Sequence, residues 1–217
     1  MLNKIRKLQN KKGFTLVELI VVIAIIAILT AVIVPLVSRY TTQATYTSLQ
    51  SAASSVETQV NAAINSYAAT GKVFGGKTVI GVCDGNGTPL TIYVDKKAIT
   101  VTHNADNTYT TTEADTGLKK LAESIATGLA TKFPANAAFG VIVQNGGVVG
   151  TVYCPSPDTT TYATSYGLPL GSIASVNGYD DAYTINSVAC GILGTIKASA
   201  DDSKSLAYDT TTGVLSV

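Results

Sequence analysis

From Phe14 to Val37 the chain reads FTLVELIVVIAIIAILTAVIVPLV, an almost unbroken apolar run carrying one carboxylate, Glu18, close to its start. Leu19 to Val37 holds no charged side chain, and a run of about 20 residues rising 1.5 Å per residue is long enough to span a bilayer as one helix. Beyond Arg39 the pattern becomes amphipathic. Leu49, Ala52, Ala53, Val56, Val60, Ala63, Ile64 and Tyr67 recur at helical spacing along one stripe, the mark of a helix with a single buried face. Together the two patterns predict one helix from Phe14 to about Thr70, roughly 85 Å long. Pro35 interrupts it: the ring lacks an N–H and leaves the carbonyl of Ala31 without its partner, at about 3 kcal/mol in a helix interior, so a bend or local melting is expected there. Thr30 can bond back to the Ile26 carbonyl and soften the same stretch.

Gly71 suits a helix C-cap, and the pattern then changes to short β-like runs. KTVIGVC and PLTIYVDKK flank Asp84-Gly85-Asn86-Gly87, and AAFGVIVQ and VVGTVYC flank Asn145-Gly146-Gly147; both turns predict hairpins, because Gly and Asn tolerate positive φ. Between them, Leu118, Leu121, Ala122, Ile125 and Leu129 give a second helix, over about Asp115 to Thr131, an apolar face. Cys154 to Asn177 is rich in Pro, Ser, Thr, Gly and Tyr and reads as a long surface loop. ACGILGTIKA, SLAYD and GVLSV then suggest closing antiparallel strands, with a turn at Thr210 to Gly213. The expected class is α+β, a long N-terminal helix packed on an antiparallel sheet.

Charge adds an orientation. Met1 to Gly13 holds Lys4, Arg6, Lys7, Lys11 and Lys12 and no acid, which by the positive-inside rule keeps that end cytoplasmic and sends everything after Val37 across the membrane. The remainder carries ten basic against 14 acidic residues, a net charge of −4, which disfavours nucleic acid as its partner. Lys96-Lys97 and Lys119-Lys120 are isolated basic pairs on a solvated face. Catalytic chemistry is sparse. His103 is the single histidine, set in the polar, turn-like VTHNADN, and no G-x-S-x-G, Walker A or H-E-x-x-H occurs. Asp180-Asp181, Asp201-Asp202, Asp84 and Asn86 offer oxygens to Ca²⁺, but Asp84-Gly85-Asn86-Gly87 fails the full EF-hand pattern and turn chemistry explains it better. No enzyme activity, cofactor or metal is expected.

Glu18 needs a partner, since a carboxylate moved toward hydrocarbon costs at least ~2.5–3.5 kcal/mol; the plain alternative is an interfacial carboxylate that reaches to water. Gly13 stands between the basic segment and the run, followed by FTLVE. With the short basic leader, Phe14, Glu18 and Pro35, this constellation resembles the type IV pilins and their relatives, the pseudopilins of type II secretion and of competence. The resemblance covers about the first fifth of the chain. It implies a leader (1–13) cut by a prepilin peptidase between Gly13 and Phe14, and N-methylation of Phe14. It also implies a hydrophobic membrane and filament-core helix (14–37), an amphipathic continuation (38–70) and a globular β-rich head (71–217). Phe14, Glu18 and Pro35 become the assembly residues. The α-ammonium created on Phe14, with a reference pKa of about 7.7–8.0, can pair with Glu18 of a neighbouring subunit, a contact worth about 4 kcal/mol at ~4 Å and an effective dielectric of 20, before desolvation. Pairing within one chain, or with the helix N-terminus, is the alternative.

Three cysteines remain, Cys83, Cys154 and Cys190. An extracellular head permits disulfides, and Cys154 with Cys190 would bracket the long loop, as many pilins staple their C-terminal region. Three thiolates with His103 or an Asp in a zinc site, and three buried reduced cysteines, stay open beside that pair. The expected function is a structural subunit of a type IV pilus or related filament, held in the membrane as a single-pass protein with a cytoplasmic N-terminus and then moved to the cell surface. Its partners would be copies of itself, the prepilin peptidase and the inner-membrane assembly machinery. A pseudopilin is the alternative within the family; a membrane-anchored enzyme or receptor with an uncleaved helix is the alternative outside it. The Thr- and Tyr-rich loop suits adhesion and protease resistance equally.

Overall fold

A computed structural model of the chain describes residues 13–83, 90–95, 97–129, 137–155, 162–163, 168–169, 171–200, 205–209 and 214–216. Its first element is one helix, α1 (Leu16–Ala68), 53 residues long. The helix continues through Pro35, so of the bend or local melting that the sequence predicted, the melting does not occur there. One missing N–H removes one hydrogen bond from a helix otherwise rich in Ile, Leu, Val and Ala, and the turns on either side continue. The chain divides into two compact units, 1–42 and 43–217. In the first, every residue from Leu16 to Tyr40 is exposed.

In the second unit α1 becomes the amphipathic helix its pattern requires. Tyr46, Leu49, Ala53, Val56, Val60, Ala63 and Ile64 are buried, and Ala52 and Tyr67 pack partly buried beside them. After α1 come β1 (Lys77–Cys83), β2 (Leu90–Val94), β3 (Lys97–His103), β4 (Tyr109–Thr111), α2 (Thr116–Leu129), β5 (Ala138–Gln144) and β6 (Gly147–Cys154). There follow β7 (Tyr162–Ala163), β8 (Leu168–Pro169), β9 (Gly171–Ser175), β10 (Tyr183–Ile185), β11 (Val188–Gly194), α3 (Thr195–Ala200), β12 (Ser205–Asp209) and β13 (Val214–Ser216). Among the described residues eleven strands form one sheet in the order β13-β12-β9-β10-β11-β6-β5-β1-β2-β3-β4, and β7 pairs with β8 apart from it. Every ladder is antiparallel. The α+β class holds: a long N-terminal helix on an antiparallel sheet.

The central strands show why the sheet is covered on both faces. From Ala138 to Val143, β5 is buried at every position. Phe139, Val141 and Val143 join the core under α1 and α2, with Ile80 and Val82 of β1. Ile142 and Val79 point the other way, into a second core with Val152, Ile173, Ile185, Ile192 and Ile196. That second face is covered by α3, which brings Ile196 into it and lies against β6 and β11; β8 also lies near β5, and β13 near β1.

Several elements correct the sequence reading. PLTIYVDKK is not one strand: Asp95 takes φ 52° and turns β2 into β3, donating its N–H to the Val79 carbonyl while its Oδ1 accepts from Val79 N–H. The VTHNADN segment begins as strand, since His103 ends β3 and stacks on Tyr109 of β4. The long loop contains β7, β8 and β9; in β9 only Ile173 is buried. The second half of ACGILGTIKA is α3. Strand β10 turns into β11 through Asn186 and Ser187, both at positive φ. The turns expected at Asp84–Gly87 and Thr210–Gly213, with Lys96, Ala130, Thr131, Asp201 and Asp202, lie outside the described residues.

At one point α1 lies directly on the sheet. A Cβ added to Gly191 of β11 would stand 2.1 Å from the Leu49 carbonyl oxygen, so helix backbone meets strand backbone where only hydrogen fits. Replacing Gly191 by Ala should therefore destabilise the head by about 1–3 kcal/mol, the usual cost of overpacking. Urea unfolding of the full-length chain in detergent checks this, with Gly75→Ala, where an added Cβ meets open space, as the control.

The end of α1 is tied to the start of α2 by charge. Asp115 caps α2, accepting from the N–H groups of Gly117 (2.8 Å) and Leu118 (3.0 Å), and pairs with Lys72. The Lys72 hydrogen bond, with those backbone N–H groups, holds the Asp115 carboxyl down at about 2 against an ordinary 3.8. A lowered carboxyl stabilises the fold above its unfolded value, and the contribution disappears as pH falls from 3.8 to about 2. The melting-temperature gap between the wild type and Asp115→Asn should accordingly be widest above that window and close within it; a gap independent of pH would show that the charge contributes nothing.

Candidate functional site

The start of α1 is fixed by its own side chains. Thr15 is the N-cap and Glu18 the third helical residue, the T-x-x-E spacing of a capping box. Thr15 Oγ1 accepts from Glu18 N–H at 3.2 Å. The Glu18 carboxylate reaches back, and its Oε2 accepts from both Thr15 N–H and Thr15 Oγ1 at 2.8 Å. Two N–H groups that a helix start leaves unpaired are thereby satisfied. Glu18 thus serves its own helix.

Beyond the box the helix presents hydrocarbon on all sides. Phe14 is 87% exposed, and Leu16 through Val37 are exposed too, Ile and Val nearly throughout. Thr30 donates its hydroxyl to the Ile26 carbonyl at 2.7 Å, so the one hydroxyl inside the run presents no free proton. Pro35 lies in the same exposed stretch. Among the described residues α1 is the one helix long and apolar enough to cross a membrane. This is a surface that water covers badly, since a soluble protein rarely exposes an apolar patch of more than a few hundred Å².

In the head, the turn between β9 and β10 grips the first buried turns of the helix. Gln50 donates to the Asp181 carbonyl at 2.8 Å and Gln43 to the Asp180 carbonyl at 3.4 Å. Tyr46 packs near Tyr179, and Lys197 pairs with the Asp181 carboxylate. The Asp181 carboxylate therefore has a structural task, and Asp180 contributes its backbone carbonyl. No group of three His, Cys, Asp or Glu side chains able to hold a metal occurs among the described residues. Cys154 and Cys190 are joined by a disulfide between β6 and β11, with Cα atoms 4.7 Å apart. Two of the three cysteines are thus joined to each other, and Cys83 stands on β1 opposite Ala138. His103 and the lysine pairs are remote in sequence from the capping box; Lys97 pairs with Glu113 and Lys119 lies near Glu123.

The sequence picked out Phe14, Glu18 and Pro35, and the structure places all three on or beside the exposed apolar part of α1. Thr15 escaped notice, although its spacing to Glu18 in FTLVE carries the capping-box signal. The model of the prokaryotic N-terminal methylation motif matches residues 8–34. No curated protein and no solved structure matches the chain. The matched motif is the leader signature of type IV pilins and pseudopilins, and the chain carries it on a long apolar N-terminal helix. It points to a structural protein.

Proposed function

We propose that the chain is a structural subunit of a type IV pilus or a closely related extracytoplasmic filament. A prepilin peptidase cuts between Gly13 and Phe14, the new terminus is methylated, and the helix that first holds the subunit in the membrane later packs among its copies. One observation carries this reading: the methylation motif at 8–34 coincides with a helix segment that is apolar on every side and exposed throughout. A surface of that kind needs lipid or other helices around it, and a filament subunit meets both in turn. Identical subunits joined by a heterologous, non-closing contact generate such a filament.

Glu18 then has successive partners. In the uncut chain its carboxylate closes the capping box with Thr15. Cleavage creates an ammonium on Phe14, one residue before the cap. When helices of neighbouring subunits exclude water around it, that ammonium requires a counter-charge, and Glu18 is the one acid between Phe14 and Arg39. The pairing sets the axial register of each added subunit.

Protein recovered from the native host should begin at Phe14, with a methyl group on the new terminus. Intact-mass and N-terminal fragmentation measurements read this directly, and a chain that retains Met1 or starts after Val37 would defeat the proposal. Whether sheared surface filaments contain the chain as their main component separates a pilus subunit from a secretion or DNA-uptake pseudopilin.

The variant Glu18→Gln isolates the charge, because glutamine also closes a capping box and keeps the helix start intact. Membrane insertion should survive, and surface filament should fall sharply. An unpaired Phe14 ammonium costs on the order of 3–5 kcal/mol at each buried position. Membrane-held subunit and sheared filament are measured separately; normal cleavage, normal membrane level and wild-type filament yield together would show that Glu18 does not set the register.

A further inference from the structure

The first unit holds two charged side chains on its helix, Glu18 and Arg39. They stand 21 residues apart, about 31 Å along a helix, and a bilayer's hydrocarbon core is about 30 Å thick. The apolar run therefore ends at a defined depth, and the residues at that depth have interfacial chemistry. After Val37 come Ser38, Arg39, Tyr40, Thr41 and Thr42. The two threonine hydroxyls turn inward, both donating to the Ser38 carbonyl at 2.9 Å. Arg39 and Tyr40 remain directed outward. Both are exposed, Tyr40 to 69%.

We propose that Arg39 and Tyr40 form an anchor for phospholipid headgroups at the translocated edge of the span, a site that rests on the reading of α1 as membrane-held before assembly. The guanidinium matches lipid phosphate in charge and in its paired N–H geometry. Its long stem lies along the helix while the head reaches outward. The phenol adds an amphipathic ring whose preferred level is the same boundary. Charge complementarity selects the occupant: the next acid along α1 is Glu57, 18 residues on or about 27 Å away, too far for Arg39 to pair with it in its own helix, whereas lipid phosphates lie at its own level. A single arginine on this flank does not oppose the orientation set by the five basic residues of the leader.

The chain contains no tryptophan, so a single introduced indole reports from one depth. The full-length, uncleaved chain is placed in phosphatidylethanolamine–phosphatidylglycerol vesicles as Tyr40→Trp and, separately, as Leu29→Trp. Lipids brominated either near the glycerol or near the chain ends quench the fluorescence. The Leu29→Trp chain tests the span itself and should be quenched most by the deep bromines. The Tyr40→Trp chain should show blue-shifted emission and be quenched at least about two-fold more by the shallow bromines than by the deep ones. Adding Arg39→Gln to Tyr40→Trp should cut the shallow quenching about two-fold, and the loss should be smaller in vesicles of phosphatidylcholine alone, where the phosphate remains but the surface carries no net negative charge.

Deep quenching at position 29 with water-like, unquenched emission at position 40 overturns the anchor and leaves the membrane reading standing. Blue-shifted emission at position 40 that no brominated lipid quenches assigns the site to contact between protein copies and overturns the lipid anchor. Quenching unchanged by Arg39→Gln overturns the role of the guanidinium. Absence of quenching at position 29 overturns the membrane reading itself, and the anchor with it.

Discussion

The head is organised around one close approach, the Leu49 carbonyl of α1 seated on Gly191 of β11. A helix that comes this near a sheet must present small or β-branched side chains along its contact line, and the buried stripe onward from Leu49 is Ala53, Val56, Val60, Ala63 and Ile64. The strand beneath must be held in place for the fit to persist. Cys190, immediately before Gly191, is tied to Cys154 on β6, so the cross-link braces β11 at the point where the helix bears on it. The turn carrying Asp180 and Asp181 fixes the same helix through Gln43 and Gln50. Helix, strand pair and turn are three supports of one contact.

Much of this fold could be read from the pattern of residues. The stripe from Leu49 to Tyr67 names the face that meets the sheet, and the α2 face from Leu118 to Leu129 is buried or partly so. Asn145-Gly146 stands between strands with both residues at positive φ, as that dipeptide prefers. The misses share a cause: the decisive conformations are adopted by residues that do not advertise them. Ser187 takes φ 68° and Asp95 φ 52°, and in both turns hydrogen bonding to a neighbouring strand holds the geometry, through Asn186 to Ser172 and through Asp95 to Val79. Strand β9 buries only Ile173, so its alternation is too thin to distinguish it from loop. In α1 the helix on either side of Pro35 outweighs proline's local preference far enough for the helix to continue through it.

The N-terminal region was the easier part to read, because its chemistry is extreme. An uncharged run bounded by a basic leader has few physical uses, and Glu18 stands out against it. The finer point, that Thr15 and Glu18 close the helix start between them, depends on a spacing so common that it passes unremarked without coordinates. It also changes what Glu18 means. The carboxylate is not an unsatisfied charge waiting for a partner; it already has hydrogen bonds, and any ammonium must compete with them or join them.

The exposed side of α1 within the head carries a row of hydroxyls. Thr47, Ser51, Ser55, Thr58 and Ser66 each donate to a backbone carbonyl four residues earlier, in their own helix. A hydroxyl has one proton to give and two lone pairs to receive with. With their protons occupied, these five hydroxyls offer neighbours acceptors and no donors. Those five positions are complementary to amides, ammonium groups and guanidinium groups, and a donor to a carboxylate or phosphate must come from other exposed side chains of the helix, such as Ser48, Ser54 and Asn65. A helix side that looks uniformly polar by composition is thus divided into positions that only accept and positions that can also donate, so that what approaches it is sorted by where it lands.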